Sequence, residues 1–202
     1  MSNHFDRFDQ NIARVDNLCN LFETVKESKK RPTVKEGDIL RAAVVFLHSA
    51  LENYLRSVIA EWLPKKGDKK AIDGISLPTS ENRAEKFYLG TLLEFSEKRV
   101  SDLISEAVQK HMSRVSFNDY ADIYTWLNKI QVDLSIYKEQ ELINNMIKRR
   151  HKIVHETDAN QKSGPGNHYA ASINMGTVKA WEKATIDLVN ETEKQIIKWQ
   201  VQ

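Results

Sequence analysis

A single cysteine, Cys19, rules out an internal disulfide and any zinc site built on cysteines. It stands among Leu18, Leu21 and Phe22, with no adjacent Lys, Arg or His to lower its pKa. It therefore reads as a small core residue rather than a reactive thiol. Turn formers are scarce as well, with seven Gly and four Pro in 202 residues. Few Gly and Pro beside many Leu, Ile, Lys and Glu favour helices over a strand-and-turn architecture. No apolar run reaches the length of a bilayer span, and residues 1–9 carry neither an apolar stretch nor a cleavage-site pattern. These absences predict a cytoplasmic protein with no membrane contact. Charge of one sign is also missing. Thirty Lys and Arg against 28 Asp and Glu leave a net charge of +2, too small to mark a nucleic-acid binder by bulk charge. Any RNA function has to rest on local clusters.

What is present describes an ordinary globule, 41% apolar and 29% charged, long enough to bury roughly 70% of its unfolded surface. Phe5, Phe8, Ile12, Val15, Cys19, Phe22 and Val25 recur at steps of three and four, which predicts an amphipathic helix ended by Lys29-Lys30-Arg31-Pro32. A second helix is expected from a cap near Asp38 to about Leu63, stopped by Pro64. Ala42 to Leu47 is apolar at every position, the mark of a central helix covered on most sides. Lys65 to Pro78 reads as a loop whose lysines are either solvated or phosphate-contacting. Further helices are expected after a Ser80 cap through Phe95, over 100–115, after an Asn118 cap through Ile130, from Tyr137 to about His155, and from near Asn174 onward. Ser163-Gly164-Pro165-Gly166-Asn167 forms the tip of a loop over 158–172. With no convincing strand or repeat, the fold class is all-α: a bundle of six or seven helices.

The most unusual stretch is Arg149-Arg150-His151-Lys152-Ile153-Val154-His155, in which five of seven residues are basic or imidazole. One explanation is that cations at a helix C-terminus are favoured by the dipole. The other is chemical. Arginine grips phosphate with two parallel hydrogen bonds and stays protonated, while histidine exchanges a proton near neutrality. Together they suffice to cleave RNA without a metal or cofactor. A base takes the ribose 2′-OH proton, the oxygen attacks the adjacent phosphorus, an acid protonates the leaving 5′ oxygen, and a cation offsets charge growing on the phosphoryl oxygens. The products are a 2′,3′-cyclic phosphate and a 5′-OH. On a regular helix Arg150 and His155 lie about 140° apart around the axis. They meet only if the helix end loosens or a second subunit supplies its own pair. His151 and His155 do share a face, but His-Lys-Ile-Val-His lacks the Glu of the zinc-protease pattern, and the flanking cations would repel a dication.

Arg150, a polar residue, three more and then His155 resembles the R-x4-6-H motif of HEPN domains, where Asn, Asp or His commonly follows the Arg. Ala43 to Leu55 resembles the central helix of that superfamily, which often bears an acid facing the motif. The pattern is most similar to the RiboL-PSP type. The resemblance covers Ile39 to Leu63 and Glu139 to His155 well, and the final helix in kind. It implies one HEPN-like helical domain over 1–202, with an N-terminal helix in 1–32 and a helical insertion at 64–134 between the two core regions. It also implies a homodimer with facing motifs and endoribonuclease activity on RNA, in toxin–antitoxin, phage-defence or stress systems where an antitoxin is a possible partner. A non-catalytic module binding RNA, nucleotide or protein is the alternative. By position, Arg150 would bind and polarise the phosphate, His155 would be the acid–base residue, and His151 would orient the pair.

His48, Glu52 and Arg56 form a stripe at i, i+4 and i+8. Glu52 either pairs with Arg56 on a wet face or lines the groove and holds Arg150, with His48 lining it on the RNA-binding side. Arg149 and Lys152 read as charges that steer the RNA backbone rather than as catalysts. Asn144 and Asn145 are surface residues or groove lining.

Overall fold

In the computed structural model, residues 3–26, 32–77, 89–159 and 170–200 are described. They form seven α-helices and one 3₁₀ segment. No strand occurs among them, only an isolated antiparallel bridge between Ala159 and Ala170. The helices are α1 (Asn3–Val25), α2 (Val34–Lys66), α3 (Lys69–Asp73), α4 (Val100–Met112), α5 (Tyr120–Lys129), α6 (Gln140–His155) and α7 (Met175–Gln200).

The long α2 is the axis of the molecule. Leu40, Val44, Leu47, Leu51, Leu55, Ile59 and Leu63 are buried along it, and α1, α4, α6 and α7 all pack against it. Burying one such aliphatic side chain contributes about 1.5–3 kcal/mol, so this helix cannot leave the core without dissolving it. The periodic face of α1 docks on it through Phe8, Ile12, Val15, Cys19 and Phe22, and Cys19 is buried. The Tyr54 hydroxyl donates to the buried Glu193 of α7 at 2.9 Å, a polar tie inside the apolar seam.

Several helix ends differ from expectation for identifiable reasons. The helix α2 begins four residues before Asp38, because Thr33 and Glu36 make a capping box that satisfies two backbone donors reciprocally. Asp38 lies inside the helix and accepts from Arg41 instead. Pro64 does not stop α2. It sits in the last turn, and the chain closes one residue past the helix with Gly67 N–H donating to the Leu63 carbonyl. Leu89–Phe95 is a 3₁₀ helix rather than α, and the expected cap Ser80 lies outside the described residues. Asp119, not Asn118, caps α5 by accepting from Asp122 N–H at 2.8 Å. Tyr137 precedes α6, and its hydroxyl donates to the Ala184 carbonyl of α7. Asn174 caps α7 through Thr177 N–H. No helix among the described residues is long and apolar enough to cross a membrane.

Candidate active site

The stripe on α2 and the basic end of α6 face each other across a cleft of about 830 Å³. His48, Glu52 and Arg56 come from α2, and Phe117 from the segment after α4. From α6 come Asn145, Arg149, Arg150, His151, Lys152 and His155. All seven residues singled out from the sequence as catalytic or RNA-binding therefore border one cavity. The stripe has no solvent-facing side of its own, because α2 is covered by packing on most of its circumference.

The floor of the cleft is unusually polar for its depth. His48 is 4% exposed and its ring bonds the Phe117 backbone carbonyl. Nδ1 has no hydrogen-bond partner among the described residues. Burial, with the charges of Arg150 and Arg56 adding to it, holds this imidazole below its ordinary pKa, against the opposing pull of Glu52 and the Phe117 carbonyl. Arg150 Nε is likewise buried with no partner among the described residues. Buried polar atoms left unsatisfied are rare, and each costs about 1–3 kcal/mol. With the Nε of Arg149, which borders the same cleft, three such atoms mark a place where the fold sacrifices stability. Glu52, with its side chain 15% exposed, pairs with Arg56 at 3.1 Å. The same carboxylate thus makes the intrahelical pair and borders the groove, but it forms no ion pair with Arg150 among the described residues.

Helix α6 stays regular through His155, so its end does not loosen to bring Arg150 and His155 together. Arg150 is half-buried, whereas His151 and His155 are exposed with ring centroids 4.7 Å apart. Next to His155 in the chain, Val154 is 46% exposed. No group of three or more His, Cys, Asp or Glu suited to a metal occurs among the described residues. Asn145 borders the cleft, while Asn144 accepts from Tyr120 N–H at 2.7 Å and ties α6 to the start of α5.

Arg149 is held differently from its neighbour. Its Nη2 donates to Asp158 Oδ2 at 2.7 Å and to the Ala171 and Ser172 carbonyls at 2.9 and 3.1 Å. Arg41 of α2 reaches the same Asp158 oxygen through Nε at 2.7 Å and the Ala171 carbonyl through Nη2 at 2.6 Å. Asp158 is 1% exposed. It follows a turn in which Thr157 and Asp158 both take left-handed backbone angles, φ 51° and 54°. The Lys152 carbonyl accepts from Glu156 N–H and from Asp158 N–H, which folds the chain back under α6. Sequence reasoning missed Asp158 and Arg41. The available signal was Arg41 itself, a cation between Leu40 and Ala42 in a helix covered on most sides, which must find a carboxylate when it is buried.

No curated protein and no solved structure matches the chain. The profile of one family, described as RiboL-PSP-HEPN, matches residues 9–198, which takes in α2 to α6 whole and most of α1 and α7. The all-α bundle, the acid-bearing central helix and the basic motif at the end of α6 agree with that match. The chain belongs to the RiboL-PSP-HEPN family, a membership that supports a nuclease or otherwise RNA-related role in general terms.

Proposed function

We propose that the protein is a metal-independent endoribonuclease that acts as a homodimer. The observation that carries this reading is the convergence of Arg150, His155, His48 and Glu52 on one cleft whose floor keeps a buried arginine nitrogen and a buried imidazole nitrogen without partners. Arg150 binds the scissile phosphate and offsets the charge that grows on its oxygens. His155, exposed at the rim, exchanges the proton with the 2′-OH in one copy. A second His155 across a two-fold axis protonates the leaving 5′ oxygen. His151 packs against His155 and orients it. Glu52 and His48 fix the electrostatics of the floor, and Lys152 steers the RNA backbone. Exposed Val154 suits a face that meets a second copy. The setting we assign is a cytoplasmic toxin–antitoxin, phage-defence or stress-response system, in which an antitoxin protein would cover the cleft.

One observation favours a second reading. The regular end of α6 keeps Arg150 and His155 about 140° apart around its axis, so a single chain does not place both on one phosphate. A HEPN-fold module that binds RNA, nucleotide or protein without cutting fits a protein that stays monomeric. The test is incubation of labelled RNA with the protein in EDTA, with Arg150→Ala and His155→Ala in parallel and oligomeric state measured on the same samples. The expected result is a 2′,3′-cyclic phosphate product from the wild-type dimer, and none from either folded variant. Cleavage that persists in both variants, or that disappears with the chelator, overturns the proposal.

A further inference from the structure

A second groove, of about 660 Å³, lies beyond Arg56 along the same helix. Arg7 of α1, Asn53, Ser57 and Lys65 of α2, and Gln109 and Ser113 of α4 border it. Its ionisable lining is unbalanced. Arg7, Arg56 and Lys65 border the groove; Lys65 pairs with the lining carboxylate Glu61 at 2.9 Å, where His4 also bonds at 2.8 Å, Arg56 pairs with Glu52, and Arg7 has no carboxylate partner among the described residues. The surplus is local, since the whole chain carries only +2.

The two cavities share structure as well as charge. Arg56 borders both. Its Nε donates to the Val115 carbonyl at 2.7 Å and its Nη2 pairs with Glu52 at 3.1 Å. Val115 lies between Ser113, on the wall of the second groove, and Ser116, on the wall of the cleft. The floor is α2 throughout, and the wall is α4 running into residues 115–118. From His48 to Lys65 this floor is about 25 Å long at 1.5 Å per residue. That is the length of several nucleotides at about 3.4 Å or more each.

We propose that the two cavities form one track, and that the second groove holds the sugar-phosphate backbone of single-stranded RNA flanking the bond cut in the cleft. Arg7, Arg56 and Lys65 contact phosphates, while Asn53, Ser57, Gln109 and Ser113 contact phosphate and ribose oxygens. No Phe, Tyr or Trp is among the described residues that border the groove, so it offers no stacking platform for bases. It therefore grips flanking RNA without reading its sequence. This inference rests on the ribonuclease reading for the identity of the strand.

The test is binding of fluorescent, uncleavable 2′-O-methyl RNA, as a trinucleotide and as an oligonucleotide of about a dozen residues, to the full chain over a range of salt. The variants are Arg7→Glu with Lys65→Glu, and separately Asn53→Asp, an exposed helix position where folding is not at stake. In the double variant, affinity for the longer RNA is expected to fall about tenfold more than affinity for the trinucleotide at 0.1 M salt. Its salt slope is expected to flatten by about 1.4, at about 0.7 per lost phosphate contact on a single strand. Asn53→Asp weakens the longer RNA in the same direction. Equal losses on both lengths, or none on either, overturn the track. Because the probe is not cut, the two readings separate. A length-dependent loss in a protein that leaves ordinary RNA intact keeps the track and removes the ribonuclease. Cleavage of ordinary RNA by a protein whose double variant binds like wild type does the reverse.

Discussion

Arg149 and Arg150 are consecutive in one helix, yet the two sides of α6 treat them in opposite ways. On one side, Arg149 shares the buried Asp158 carboxylate with Arg41 and gives its Nη2 to the carbonyls that precede α7, while its Nε, like that of Arg150, is buried without a partner among the described residues. On the other side, Arg150 faces a cleft containing a buried histidine and a carboxylate already paired with Arg56, and no carboxylate pairs with it among the described residues. One step of about 100° around a helix separates a cation paired with a buried carboxylate from one with no such partner among the described residues. Residue type does not distinguish them. The distinction lies in whether the surroundings have already supplied the counter-charge.

The largest effect is expected on the lock. Asp158→Ala takes the shared carboxylate from half-buried Arg149 and from buried Arg41, which keeps only the exposed Asp38, and breaking a buried pair in this way costs about 3–5 kcal/mol. A chain of this length should then melt about 10 °C lower in calorimetry. A loss below 2 °C would mean that the lock is solvated and that the two sides of α6 are alike.

The paired substitution of the neighbours comes next. Arg150→Ala is expected to reduce RNA cleavage about 10²–10³-fold, the usual loss for one transition-state donor, with melting unchanged or slightly improved. Arg149→Ala is expected to lower the melting temperature by several degrees and to reduce cleavage less. Measuring both traits in both variants decides the matter, since the opposite pattern reverses the assignment.

A smaller effect concerns pH. Burial lowers the pKa of His48, so the folded state disfavours a proton that the unfolded chain accepts near 6.5. The stability this group contributes is present above that value and is lost as pH falls through the folded pKa. Melting temperature should drop on acidification below about 6.5, and His48→Gln should flatten that part of the curve. Parallel curves for variant and wild type would remove His48 from the account. The smallest effect is at exposed Lys152. Lys152→Ala should raise KM for RNA by less than about tenfold and flatten the salt dependence by about 0.7, one phosphate contact's worth.

Much of this was legible in the sequence because it is local. Apolar steps of three and four revealed α1, α2, α6 and α7, and the dense cluster of Arg and His marked the motif. The capping box Thr33-x-x-Glu36 was passed over in favour of Asp38, which lies inside the helix and pairs with Arg41 one turn on. The 3₁₀ form of Leu89–Phe95 was not legible, since three- and four-residue spacings look alike over seven residues. Asp158 was hidden for a different reason. Its partner Arg41 lies 117 residues away, and no pattern of neighbours announces such a meeting. The same limit hid the pairing of Arg149 with Asp158. The sequence context of Arg149 equals that of Arg150, and only the folded surroundings separate them.

The lock joins residues far apart in order of synthesis. Arg41 leaves the ribosome early, while the Ala171 carbonyl that it shares with Arg149 appears 130 residues later. Contacts of such separation close late in folding, after local helices have formed. A growing chain that already displays Arg150 and His155 still lacks the acceptors that fix the turn beneath them. Translation therefore delivers the motif before it delivers the support, and the site is completed only as α7 begins to emerge.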